Sequence, residues 1–275
     1  MKQYTRVYAK IDLDAIAYNM EQMKERIGTG AKLVAVIKTD GYGHGAIPIA
    51  RMFESVDYVW GYATASLDEA ALLRKAGICK PILVLGCVFP DQYEDMIRYE
   101  VRPATYTKEM AIEISKQAVK LNKTAYLHIK IDTGMGRIGF AVSDETADIV
   151  EQISKLPNIK IEGMFTHFAK ADEKDKSYTY QQHEKFVWMK QALEEKNLEI
   201  PYIDCDNSAG IIDFPNMKHN LARAGISLYG MYPSDEVNKN AISLFSMGKN
   251  IFLNIKPISY LYNNHDVVGD YYFSG

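Results

Sequence analysis

The sequence predicts an α/β protein built as a closed (β/α)8 barrel, and three observations carry that prediction. Short apolar, β-branched or aromatic runs alternate with longer amphipathic segments; the runs number eight; and the residues with unusual polar chemistry follow the ends of those runs. Alternating strand and helix implies parallel strands, and eight repeats suit a barrel of ordinary size. An open doubly wound sheet shares the alternation and stands as the rival architecture.

The runs are Leu33–Ile37, Tyr58–Ala63, Ile82–Leu85, Val101–Tyr106, Tyr126–Ile131, Ile159–Thr166, Tyr202–Cys205 and a weaker one leading into Arg223. Ahead of the first, Leu13, Ile16, Ala17, Met20, Met23 and Ile27 form one apolar stripe at helical spacing, with Asp12 or Asp14 placed to cap it. Ser66 and Glu69 have capping-box spacing before Ala70–Leu73. Thr107–Leu121 and Tyr180–Lys196 are long enough to be crossover helices. Pro103 counts against the fourth strand, because it cannot donate to a ladder. From about residue 234 the helical period is lost, and Ile251–Ile255 and Ile258–Tyr262 read as short strands outside the barrel repeat.

Lys and Arg total 32 against 35 Asp and Glu, so no bulk field draws nucleic acid, while a small anion bound by local groups stays possible. Cys79, Cys87 and Cys205 show neither CxxC nor metal-ligand spacing. With no signal-like start in the first ten residues and no run long enough to span a membrane, a cytoplasmic protein with reduced thiols and no metal is expected.

Ligands of parallel α/β folds bind where strands end. After the first run comes AVIKTDGYGHG, residues 35–45. A lysine ending an apolar strand is poised for desolvation, which frees an amine for imine formation. Gly41, Gly43 and Gly45 allow a tight turn beside a ligand, and Tyr42 offers a hydroxyl among them. A snorkelling lysine before a turn is the plain alternative for Lys38 alone.

The fifth run ends in KIDTGMGRIGF, residues 130–140. Strand alternation puts Tyr126, His128 and Lys130 on one face and Leu127, Ile129 and Ile131 on the other. If the apolar face meets the helices, Lys130 points into the barrel near Arg137. Two such cations call for an anion, from a ligand or from modification of the lysine. His167 follows the sixth run, and a lone histidine is more often structural than catalytic. Asp206-Asn207-Ser208-Ala209-Gly210 suits a helix cap or an oxyanion. Arg223-Ala224-Gly225-Ile226 opens a segment whose N–H groups suit a phosphate.

Together, AVIKTDGYGHG, KIDTGMGRIGF, FTHFA, NSAG and RAGISLYG resemble, in order, motif blocks of the alanine racemase family across residues 6 to 233. The resemblance implies pyridoxal 5'-phosphate in Schiff-base linkage to Lys38, which is also one of two catalytic bases. It implies that Tyr42, Ser208, Gly225 and Ile226 hold the phosphate and that His167 packs beside the pyridine ring. Arg223 would then face the ring nitrogen, and Arg137 would lie near the phenolic oxygen and the substrate carboxylate. Lys130 matches a position carbamylated in many members.

The implied reaction is interconversion of L- and D-alanine for peptidoglycan, in a homodimer. Serine is the competing substrate, and a non-catalytic cofactor-binding barrel is the competing function. Residues 1–233 are expected to form the barrel and 234–275 an aberrant or truncated start of the family's C-terminal β domain. The block resembling VGYADG is absent from this sequence, and none of Tyr260, Tyr262, Tyr271 and Tyr272 is assigned the role of the family's catalytic tyrosine.

Overall fold

The computed structural model describes residues 11–217 and 219–245. Among these, eight parallel strands form the barrel: β1 (Lys32–Val36), β2 (Val59–Thr64), β3 (Ile82–Val84), β4 (Val101–Thr105), β5 (Ala125–Asp132), β6 (Ile159–Phe165), β7 (Tyr202–Asp206) and β8 (Leu221–Ala224). Each pairs with the next, and β8 pairs with β1 from Lys32–Leu221 to Ala35–Ala224. That last pairing closes the sheet and rules out the open alternative. Helices α1 (Leu13–Ile27), α2 (Ala46–Phe53), α3 (Leu67–Lys75), α4 (Tyr93–Arg98), α5 (Lys108–Lys120), α6 (Asp144–Ser154), α7 (Ser177–Glu195) and α8 (Ser208–Asp213) accompany the strands. Phe140–Ala141 adds a two-residue pairing beside the end of β5, and a 3-10 turn, Ile226–Tyr229, follows β8.

The helix signals act mostly as the sequence suggests. Asp12, not Asp14, caps α1 by accepting from the Ala15 N–H at 3.1 Å. Asp12→Ala is expected to cost about 1 kcal/mol of stability, read from the urea midpoint. Thr107 caps α5, which starts one residue later than the run suggests, whereas α7 begins three residues earlier, at Ser177. The capping box at Ser66 is only half formed. Ser66 Oγ accepts from the Glu69 N–H at 3.4 Å, but the Glu69 carboxylate accepts from the N–H groups of Ala65 (2.9 Å) and Thr39 (2.8 Å). A donor on the neighbouring loop, invisible to local spacing, takes that side chain. Pro103 does lie within β4. The pairing with β3 ends at Val84–Pro103, and that with β5 starts only at Ala104, so the missing donor falls between the two ladders.

Strand alternation sorts the core into two layers. Val34, Val36, Trp60, Leu83, Ala104, Phe165 and Leu221 fill the barrel interior. Leu33, Ala35, Ile37, Leu127, Ile129, Ile131 and Cys205 face the helices. The interior parity of Val34 and Val36 carries on to Lys38 and brings it to the C-terminal mouth. At the opposite end, Arg102 forms a two-pronged ion pair with Glu162 (2.8 and 3.1 Å), and His128 Nε2 lies 3.3 Å from the same carboxylate. A register shift opposite Leu127/His128 lets β6 turn Glu162 inward. A Cβ on Gly163 would come within 2.4 Å of the His128 ring, so this floor is packed without slack.

Past the 3-10 turn, residues 231–245 contain no helix or strand, as the loss of period suggests. They fold back on α1: Val237 and Ile242 are buried, and the Phe245 N–H donates to Asn19 Oδ1 at 2.7 Å. The expected strands Ile251–Ile255 and Ile258–Tyr262 lie outside the described residues, as do Tyr260, Tyr262, Tyr271 and Tyr272. No described helix is long and apolar enough to cross a membrane.

Candidate active site

The turn after β1 is more unusual than its glycines suggest. Thr39, Asp40 and Tyr42 (φ 51°, 52° and 53°) join Gly41 and Gly43 (φ 63° and 81°) in the left-handed region, so five consecutive residues share it. Two i→i−4 bonds, from Gly41 N–H to the Ile37 carbonyl (2.8 Å) and from Gly43 N–H to the Thr39 carbonyl (3.0 Å), complete a left-handed helical turn. Such geometry is costly for residues with a Cβ, and the surroundings hold it in place. Glu69 fixes the Thr39 N–H, and Asp40 Oδ1 accepts from the Ala46 N–H at 2.8 Å. Lys38 is half-buried at the head of this turn, its Nζ 5.7 Å from the centroid of the Tyr42 ring. The Tyr42 ring in turn packs on buried Tyr229, which donates its hydroxyl to the Val36 carbonyl.

The deeply buried lysine is Lys130, at 3% exposure. It faces the interior as alternation requires, donating to the Ile131 carbonyl at 2.7 Å and standing 5.5 Å from the centre of the Phe165 ring. Burial first, and then the nearby Arg223 charge, bring its pKa down to about 7. Arg223 is also 3% exposed, sits over the same ring and is ion-paired with Asp204. It donates further to the Thr166 carbonyl (2.9 Å) and to His167 Nδ1 (3.3 Å). An arginine always donates, so Nδ1 is the acceptor and the imidazole carries its proton on Nε2.

His167 is where the cationic groups meet. Burial, then Arg223, Arg137, Lys130 and Lys38, hold its pKa down at about 3. It is therefore neutral near pH 7. Two nearby carboxylates have partners: Asp204 pairs with Arg223 through one oxygen, and Asp132 accepts from the N–H groups of Gly134, Met135 and Gly136. Arg137 is exposed at the rim. Asp206, buried close to Arg223, is pushed up to about 7 by burial first and then by the Asp204 charge, so the carboxyl groups at the mouth offset its positive charge only in part.

Across from it, Asn207 caps α8, and Ser208 Oγ accepts from the N–H groups of Gly225 (3.1 Å) and Ser227 (3.2 Å). Ser208, Gly225 and Ile226 therefore lie together, though the Gly225 N–H is turned onto the serine. With both acceptor positions used, the Ser208 hydroxyl proton is left to donate outward.

Sequence reading missed the supports. Asp204 was visible in principle, since YIDCD places Tyr202, Asp204 and Asp206 on one strand face. Buried Gln182 on α7 had no local signal. It donates to Thr133 Oγ1 (3.1 Å) and the His167 carbonyl (3.3 Å), while Thr133 and Thr166 join their hydroxyls at 2.9 Å.

A parallel barrel with two lysines, two arginines and a neutral histidine at its C-terminal mouth belongs to the class that binds small anionic ligands at that end. The chain can be placed more narrowly. It belongs to the family described as "Alanine racemase, N-terminal domain", which matches residues 11–233.

Alanine racemase of Clostridium tetani is 46% identical over 243 residues, covering 88% of this chain and 62% of that protein. The Halothermothrix orenii enzyme is 42% identical over 240 residues, covering 87% and 63%. The chain therefore spans less than two thirds of the length of these curated relatives. Among solved structures, Clostridium difficile alanine racemase in complex with cycloserine superposes with a TM-score of 0.87 at 40% identity, covering 89% of this chain and 67% of that one. The Bacillus anthracis enzyme with bound L-Ala-P gives 0.81 at 32%, covering 90% and 64%.

Proposed function

We propose that this chain is the cofactor-holding barrel of an alanine racemase, that it binds pyridoxal phosphate, and that it acts on alanine to supply D-alanine for peptidoglycan. The observation that carries the reading is the convergence of Lys38, Lys130, Arg137 and Arg223 on His167. Such a site suits an anionic ligand with a carbonyl that a lysine can engage. Pyridoxal phosphate has both features, and when bound it supplies an electron sink that acidifies the substrate Cα–H bond.

The residues then have separable tasks. Lys38 would be the covalent attachment point, and its Nζ would take or return the α-proton. Ser208 donates its hydroxyl to the phosphate, with Tyr42 and the backbone of Gly225 and Ile226 beside it. His167, held neutral, would lie against the pyridine ring without adding charge. Arg223, fixed by Asp204 and the Thr166 carbonyl, would serve the ring nitrogen as a permanent donor and disfavour its protonation. Arg137 is placed for the phenolic oxygen and the substrate carboxylate.

Incubation with pyridoxal phosphate in deuterium oxide, with D- and L-alanine in separate tubes and proton NMR on the α-protons, tests the reading. Exchange from D-alanine is the expected result. Cofactor binding with no exchange from either enantiomer would leave a carrier barrel instead.

Lys130 is proposed to carry a carbamate. Its lowered pKa leaves much of the amine neutral near pH 7. The neutral amine adds to carbon dioxide and releases one proton, turning a buried cation into an anion beside Arg137. Carbon-13-labelled bicarbonate should give a carbamate resonance in the native protein that Lys130→Arg lacks. An identical resonance in both would assign it elsewhere.

A further inference from the structure

On the outer wall of the barrel, behind the cationic mouth, three side chains distant in sequence come together. Cys205 is the outward-facing residue between Asp204 and Asp206 on β7 and is fully buried. His183 comes from α7, one residue after Gln182, and His219 lies just before β8. One donor atom from each falls within 4.8 Å of both others. The two rings stand 5.5 Å apart at 37°, and Phe186 packs edge-on against His219.

The hydrogen bonding of this cluster is incomplete. Nε2 of His183 and Nε2 of His219 are both buried with no partner among the described residues. The Cys205 thiol has one proton to share between the Met217 carbonyl at 3.6 Å and Asp206 Oδ1 at 3.7 Å. A buried polar atom left unpaired costs roughly 1–3 kcal/mol. Two such nitrogens beside a thiol are most simply satisfied by one shared acceptor of electron pairs.

We propose that His183, Cys205 and His219 form a binding site for one zinc ion, with water as the fourth ligand. Two imidazoles and a thiolate suit this borderline-soft cation, and they suit calcium or magnesium poorly. Tetrahedral zinc, with bonds of about 2.1 Å to nitrogen and 2.3 Å to sulfur, sets its donors roughly 3.3–3.7 Å apart. The cluster closes by about 1 Å on binding, within the reach of side-chain rotation. The Cys205 thiol gives its proton to solvent as the zinc–sulfur bond forms. The Asp206 carboxyl beside it lies where it can offset the remaining positive charge.

The ion would pin α7 to the strand that bears Asp204 and to the segment entering the strand that bears Arg223. It would thereby brace the wall beneath the mouth. A structural metal of this kind needs no role in turnover.

The test uses untagged full-length protein, dialysed against chelator and then titrated with zinc or cobalt. One equivalent of zinc should bind and raise the melting temperature. Cobalt should give tetrahedral visible bands together with a thiolate charge-transfer band. Cys205→Ser should lose the charge-transfer band and bind at least tenfold more weakly, and His219→Gln should weaken binding similarly. Both variants should keep the native far-UV spectrum and bind pyridoxal phosphate, which separates loss of the site from loss of the fold. Should Cys205→Ser misfold, His219→Gln and the cobalt spectrum of the native protein still decide. Native protein that binds no zinc, or a cobalt spectrum without sulfur charge transfer, would overturn the proposal.

Discussion

Lys38→Ala is expected to abolish covalent retention of pyridoxal phosphate and to lower α-proton exchange from alanine by about three orders of magnitude or more. The size of the effect follows from the two tasks proposed for one nitrogen, attachment and proton transfer. Two lysines reach the site, so the outcome is not a formality. Lys130, brought to about pKa 7, has an amine that is readily neutral. Lys130, however, is only 3% exposed and its Nζ is bonded to the Ile131 carbonyl, whereas Lys38 stands half-buried at the mouth. Geometry therefore favours Lys38. Borohydride reduction followed by peptide mapping should place the cofactor on residue 38, and a label on residue 130 would reverse the assignment. Lys38→Arg should fail as fully as alanine, because it keeps the charge without an amine that can form the bond.

The second large effect lies at the barrel floor. Glu162→Gln should destabilise the protein by roughly 3–5 kcal/mol at neutral pH, because Arg102 and His128 lose a buried partner. Burial alone would raise the Glu162 carboxyl, but the hydrogen bonds from His128 and Arg102 outweigh it and hold it at about 2. The folded value thus lies below the ordinary glutamate value of about 4.3. The stabilisation is complete above that value and is lost as pH falls from there towards about 2. The shift corresponds to about 3 kcal/mol. Urea unfolding of the cofactor-free protein between pH 7 and 3 should show a steep loss of stability in the native chain and a shallower one in Glu162→Gln. Parallel curves would mean that another carboxylate governs the acid limb. His167 works in the same direction over the interval from about 6.5 down to about 3, and it does so in both proteins, so the difference between them isolates the floor.

The barrel and its mouth were largely legible because strand parity is a local property. Knowing that Leu127, Ile129 and Ile131 are apolar is enough to turn Lys130 inward, and Val34 and Val36 do the same for Lys38. What escaped depends on contacts between distant segments. Glu69 sits in a good capping box, yet its carboxylate serves the turn after β1. Glu162 faces inward only because of an irregular register that nothing in IKIEGMF announces. Cys205, His183 and His219 show no ligand spacing, since a site closed across three elements leaves no local pattern. Asp204 could have been read from alternation in YIDCD, but its partner Arg223 is known only once β7 and β8 lie side by side.

The left-handed turn after β1 also bears on how this barrel would respond to selection for heat resistance. Thr39, Asp40 and Tyr42 together carry strain on the order of 3–6 kcal/mol. Replacing Thr39 with glycine relaxes the backbone there without removing a side chain that holds the turn, since Thr39 is exposed and is fixed through its backbone N–H. A library screened only for survival at high temperature would therefore collect changes here early. Those same changes widen the range of positions open to the amine of Lys38, so the hardiest clones would be the ones with the least well aimed lysine. The turn marks a place where tolerance of heat and accuracy of chemistry pull the sequence in opposite directions.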